Sequence, residues 1–197
     1  MPKLRRAAAG CRACSLWRSG TQTVFGAGSQ SARVMLVGEQ PGDREDLEGE
    51  PFVGPAGGIL DAALEDAGID RRETYVTNVV KHFKWKAGRG KRRLHQRPIS
   101  EEIGACRPWL DSELAVVRPE VVVCLGATAA KSLLGTKVRV TRDRGRFVEA
   151  EFAPLVTVTV HPSSILRVPE EDERAKARAE FTADLRRVAK RLEGGIG

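Results

Sequence analysis

Four short apolar runs, each closing on glycine, polar or histidine residues, constrain this chain most. They are Arg33-Val-Met-Leu-Val-Gly38, Tyr75-Val-Thr-Asn-Val-Val80, Val121-Val-Val-Cys-Leu-Gly126 and Leu155-Val-Thr-Val-Thr-Val160. Runs this short and this apolar fit strands buried on both faces. Helical spacing lies between them. Ile59, Leu60, Ala63 and Leu64 recur ahead of a stop at Gly68, Ala127 to Leu134 follows the third run, and a charged segment covers Glu170 to Leu192. Ser100 fits a helix N-cap, with Glu101 and Glu102 suited to the positive dipole end; Pro108 is expected to bend or divide that helix before Trp109 to Val117. Arg139 to Phe152 reads as an irregular hairpin. The alternation predicts one domain over residues 1–197, a three-layer α/β/α fold on a mainly parallel four-stranded sheet.

In such folds ligands bind at the carboxyl ends of the strands. Those ends hold Gly38-Glu39-Gln40-Pro41, Asn78 to His82, Gly126, and His161-Pro-Ser-Ser164. Gly38-Glu-Gln-Pro-Gly42 is neither a Walker loop nor a dinucleotide fingerprint. Glu39 there can position a base or a water, or simply stabilise a turn. Phe52, in a Gly/Pro-rich loop, can stack on a base ring or plug the loop onto the core. Asn78 inside an apolar strand needs partners, which a nucleobase edge or the protein itself can supply. His161 is either a satisfied core imidazole or a donor in a site, and Ser163 to Arg167 offers hydroxyls and a cation for a phosphate.

The net charge of +7 favours a polyanionic partner over an acidic surface. No signal-peptide pattern and no apolar run of membrane-spanning length is present, so the chain is expected to be a cytosolic monomer. Its four cysteines are then reduced, which points to metal or catalysis rather than disulfides. Cys11-x-x-Cys14 is a spacing shared by zinc, redox and iron–sulfur sites, whereas Cys124 among valines reads as a core thiol.

From Thr74 to Ser100 there is no acidic residue, while Lys81, Lys84, Lys86, Arg89, Lys91, Arg92, Arg93 and Arg97 are basic. Ala87 to Pro98, loosened by Gly88 and Gly90, reads as a mobile basic loop. A solvated charge run is its plain explanation. His95, one of three histidines, gives it a chemical candidate, because surrounding cations favour a neutral, nucleophilic imidazole.

Taken together, Gly38-Glu-Gln-Pro-Gly42, Pro51-Phe-Val-Gly-Pro-Ala-Gly57, Thr77-Asn-Val-Val-Lys81 and His161-Pro-Ser-Ser-Ile-Leu-Arg167 resemble the motifs of the uracil-DNA glycosylase superfamily, in particular its iron–sulfur family 4 branch. Gln40 and Lys91-Arg-Arg-Leu-His95 resemble the UdgX subgroup, known for linking itself covalently to DNA; Leu94 stands where that subgroup often has Ile. The resemblance implies uracil-containing DNA as partner, and single strands are expected to be preferred because base flipping costs least there. It implies His95 as nucleophile, Glu39 and His161 as catalytic groups, and Gln40, Phe52, Asn78, Ser163 and Arg167 as substrate contacts. Lys91, Arg92 and Arg93 would hold the DNA backbone. It also implies a [4Fe-4S] cluster on Cys11, Cys14 and Cys106, with His82 standing where the family has its remaining cysteine. A multiple-turnover glycosylase using water, and a non-catalytic iron–sulfur DNA-binding protein, are the alternatives.

Overall fold

A computed structural model describes residues 1–194. The strands in chain order are β1 (Ala27–Gly28), β2 (Val34–Gly38), β3 (Thr74–Asn78), β4 (Trp85–Ala87), β5 (Arg93–His95), β6 (Val121–Leu125), β7 (Phe147–Ala150) and β8 (Ala153–Thr159). Six of them form one sheet in the order β1-β3-β2-β6-β8-β7. The four runs supply β2, β3, β6 and β8, which pair in parallel. The sheet is wider than the four expected strands, because β1 and β7 add antiparallel edges. β1 has only two residues and β7 is short and partly exposed, so neither forms an apolar run that the sequence could announce.

Eight helices surround the sheet among the described residues: α1 (Pro2–Ala9), α2 (Asp43–Glu48), α3 (Pro55–Asp66), α4 (Ser100–Val117), α5 (Ala127–Leu134), α6 (Val140–Asp143), α7 (Pro162–Leu166) and α8 (Glu171–Glu193). The period of two along β2 sorts its side chains between two cores. Val34 and Leu36 pack with Leu60 and Leu64 of α3 and Phe181 and Leu185 of α8. Met35 and Val37 face Leu110 and Leu114 of α4 and Ala129 and Ala130 of α5. Both faces are therefore covered, which is the expected three-layer arrangement.

Three local expectations change. Pro108 lies inside an unbroken α4. It and Gly104, whose carbonyl loses an amide partner, are both exposed, so water can satisfy that carbonyl. Ile99 rather than Ser100 is the N-cap, and Glu102 Oε2 accepts its N–H at 2.8 Å. The segment from Arg139 holds a helical turn, α6, before β7 turns back onto β8.

The largest correction concerns Ala87 to Pro98. It is not a loop throughout: β4 and β5 form a hairpin in the register Trp85↔His95, Lys86↔Leu94, Ala87↔Arg93. The tip around Gly90, whose φ of +64° suits glycine, and the stretch from Gln96 to Pro98 remain irregular. The chain proceeds from β2 to β3 on one side, while β6 flanks β2 on the other. Strand order thus reverses between β2 and β6, where open α/β sheets place their ligand crevice.

Candidate active site

At the carboxyl ends of β2 and β3, Gly38 and Asn78 are register partners. A Cβ on Gly38 would collide with Asn78 Oδ1, lie 2.9 Å from Phe52 Cζ and 3.4 Å from His161 Nε2. Three candidates from distant parts of the chain therefore converge over one glycine. Phe52 is held at φ +60°, rare for a non-glycine residue, and costs roughly 1 kcal/mol or more to keep there. Its loop is tied down by buried Glu45 of α2, which accepts the Gly54 N–H at 2.9 Å. Its ring stacks toward His161, centroids 6.0 Å apart and planes 26° apart.

His161 caps α7. Its Nδ1 accepts from the Ser163 N–H at 3.2 Å and lies 2.9 Å from Ser163 Oγ. An amide only donates, so Nδ1 carries the lone pair and the neutral ring bears its proton on Nε2, toward Gly38. Burial pushes the imidazole down to about 4, with Arg167 and His95 adding to the fall and Glu39 opposing it. Arg167, exposed, donates to Ser163 Oγ at 3.3 Å. Asn78 is 3% exposed, and its side-chain amide, which makes no hydrogen bond to a described residue, keeps an opening to solvent.

A second group sits at the β2–β6 reversal. Glu39 Oε1 accepts from His95 Nε2 at 2.9 Å, and Oε2 accepts a short hydrogen bond from Thr128 Oγ1 in the first turn of α5. Burial resists ionisation of Glu39, but the hydrogen bonds from His95 and Thr128 and the charge of Arg97 outweigh it and hold the carboxyl below its usual range. Gln40 is buried, and its amide donates to the Lys84 and Gln96 carbonyls at 3.2 and 3.1 Å while its Oε1 accepts from Lys84 N–H. Both amide protons are thereby engaged, and its 3.4 Å approach to the His95 ring is a contact across the base of the hairpin. Gln40 clasps the hairpin rather than presenting a free amide to a substrate.

The three hairpin cations separate. Lys91 and Arg92 are exposed at the tip with no carboxylate among the described residues. Arg93 instead pairs with Asp43 at 2.5 Å and with fully buried Asp46 at 2.6 Å, and its guanidinium lies 5.3 Å from the Phe83 ring centre. Its charge fastens β5 to α2, so the expected phosphate contact gives way to an internal ion pair.

Cys11, Cys14 and Cys106 lie within electrostatic reach of one another: burial pushes the Cys106 thiol up to about 11, Lys81 opposes this, and Cys14 and Cys11 add to the rise. Cys106 Sγ accepts the Lys81 amide N–H and Cys11 Sγ the Trp109 indole N–H, both at 3.2 Å. His82 Nε2 is 3.0 Å from Thr23 Oγ1, whose own proton goes to the Ala8 carbonyl. The imidazole must then donate from Nε2, leaving a lone pair on Nδ1, and burial favours its neutral form. Among the described residues no three such side chains converge as a formed metal site. The donor chemistry nonetheless suits a soft metal group, with N–H···S bonds of the kind that tune cluster thiolates. Cys124 stands apart in β6, its thiol pushed up to about 12 by burial alone.

Sequence reasoning missed Thr128, Glu113 and the acidic partners of Arg93. Thr128 alone left a signal, two residues beyond the strand-terminal Gly126.

This geometry has counterparts among known proteins. The family model of the uracil DNA glycosylase superfamily matches residues 25–186. A type-4 uracil-DNA glycosylase of Thermotoga maritima is 37% identical over 177 residues, 85% of this chain and 88% of its own length. One from Archaeoglobus fulgidus is 34% identical over 185 residues, 90% and 86% of the two chains. A type-5 uracil-DNA glycosylase of Pyrobaculum aerophilum is 33% identical over 125 residues, 54% of this chain and 50% of its own. With Asn78, Phe52 and His161 gathered over Gly38 and most of its length matched, the chain belongs to the uracil-DNA glycosylase superfamily.

Proposed function

We propose that this uracil-DNA glycosylase releases uracil from DNA and then stays joined to the stripped sugar through His95, as UdgX-like proteins do. The observation that carries the base-binding reading is the Asn78 amide, open at the site and without a protein partner, beside the Nε2–H of neutral His161. Water can satisfy that amide in the free protein, and a flipped pyrimidine edge offers the donor and acceptor to replace it. Phe52 stacks on that base.

The N1–C1′ bond breaks with its electron pair leaving on uracil, whose O2 takes a hydrogen bond from His161 Nε2–H. The sugar left behind is oxocarbenium-like. The unprotonated ring nitrogen of His95 attacks C1′ and forms the new N–C1′ bond. The proton on the other nitrogen faces Glu39, which can take it as the ring is alkylated, so the adduct is left neutral. Ser163 holds the His161 tautomer, and Arg167, Lys91 and Arg92 meet phosphates. Single-stranded DNA is the favoured substrate, because flipping costs least where no stack is broken. A [4Fe-4S] cluster held by Cys11, Cys14, His82 and Cys106 supplies covalent bracing of three chain segments and a capacity for electron transfer. The protein works as a cytosolic monomer.

Incubation with a uracil-containing oligonucleotide, followed by a denaturing gel, tests this. The expected result is a heat- and detergent-resistant shifted band that His95→Ala abolishes while uracil release continues. Free abasic DNA in excess over wild-type protein would establish turnover with water and end the covalent reading.

A further inference from the structure

The two longest stretches of this chain without an acidic residue are 1–38 and 74–100. The fold lays them side by side. Trp85 of β4 donates its indole N–H to the Ser19 carbonyl at 2.8 Å, and Trp85 is the register partner of His95. The segment carrying Trp17 therefore abuts the hairpin carrying His95. Trp17 is partly exposed, with the guanidinium carbons of Arg12 and Arg18 at 4.7 and 5.5 Å from its ring centre. Those two arginines, and Lys86, Arg89, Lys91 and Arg92 on the hairpin, are exposed and have no carboxylate partner among the described residues. Several arginines elsewhere are paired, among them Arg33 with Glu120, Arg72 with Asp70 and Arg144 with Asp184.

Unpaired cations around an accessible indole are the two ingredients of single-strand recognition: a charged track for phosphates and a π-face for a base. We propose that Trp17, with Arg12 and Arg18, is a docking site for single-stranded DNA flanking the target nucleotide. One unpaired base of that strand stacks at Trp17, and its phosphates run past Trp85 and Lys86 toward the nucleotide at His95. The identity of the strand rests on the glycosylase reading. A duplex keeps its bases stacked on one another and has none to offer Trp17, so this patch selects single strands without reading sequence.

Anisotropy titrations with a fluorescein-labelled, uracil-free single strand and a matching blunt duplex test the site. Trp17→Ala should raise the single-strand Kd about tenfold, leave the duplex Kd unchanged, and be largely rescued by Trp17→Phe. Arg12→Ala with Arg18→Ala should flatten the slope of log K against log salt for the single strand by about 1.4, at about 0.7 per phosphate contact. An unchanged single-strand Kd in Trp17→Ala, or equal weakening on both DNAs, overturns the proposal. Should Trp17→Ala fail to fold by circular dichroism, the exposed arginine pair decides, and an unchanged salt slope overturns it. Since these strands carry no uracil, binding is read apart from catalysis: wild-type protein that binds them but releases no uracil from a uracil-containing strand would sink the glycosylase reading alone.

Discussion

His161 shows how one side chain's surroundings set its chemistry. Its Nδ1 is occupied by Ser163, its Nε2–H is free for the pocket, and burial holds the ring neutral down to about 4 against 6.5 for an ordinary imidazole. Between those values the unfolded chain binds the proton and the folded one does not, so stability rises with pH across that window and falls on acidification. Urea midpoints should therefore drop between pH 6.5 and 4, and single-turnover uracil release should hold its rate to about pH 5 before declining. A release profile with its acid limb near 6.5 would show His161 protonating as an ordinary imidazole and contradict its neutral, Ser163-capped state. Asn78, Phe52 and His161 were legible in the sequence because each is a polar or aromatic residue at a strand end or beside glycines. Their surroundings were not. Thr128 reaches Glu39 from 89 residues away, and no local pattern announces a hydrogen bond between distant segments.

Among the elements, the β4–β5 hairpin departs most from its sequence reading. Charge made it look like a solvated loop, and its three-residue strands are too short to show alternation. Gln40 supplies the order that the hairpin's own sequence hides, by joining the backbones of Lys84 and Gln96. Loosening that clasp should move His95 without touching the base pocket. Gln40→Ala is expected to release uracil within about threefold of wild type while the ratio of crosslinked to free abasic DNA falls at least about tenfold, since a displacement near 1 Å can cost a hundredfold in a bond-forming step. Quantifying both products on one denaturing gel checks it. A parallel loss of release and crosslinking would show that Gln40 serves the pocket as well.

Across the whole molecule, the parallel strands and the helices between them were readable because burial on both faces writes itself as apolar runs. The polar core was not. Lys81 counted as one more cation in a basic stretch, yet it is 1% exposed and pairs with fully buried Glu113 at 2.5 Å. Glu113 also accepts from Tyr75, Thr77 and Gly26, so the pair anchors α4, β3 and the N-terminal segment together. Lys81 further caps the Asn78 carbonyl at 2.7 Å, while its amide reaches Cys106. Lys81→Met alone should cost about 3–5 kcal/mol by stranding a buried carboxylate, whereas Lys81→Met with Glu113→Gln should recover much of that, since the neutral amide oxygen can still accept from Tyr75, Thr77 and Gly26. Urea unfolding of both variants measures this, and a double variant as weak as the single one would mean that the hydrogen bonds of Lys81, not the stranded charge, dominate.

The anchoring of Arg93 has a practical consequence for the hairpin. Asp43 and Asp46 hold the stem at Arg93, and Gln40 holds it at Lys84 and Gln96. Residues 88 to 92 lie outside every one of these fastenings. The tip is therefore an exchangeable cassette on a fixed mount: its residues can be rewritten, or replaced by a guide for another nucleic acid, with the imidazole left in register. Under the covalent reading proposed above, that separation would let targeting be edited at the tip while the chemistry at His95 stays unchanged.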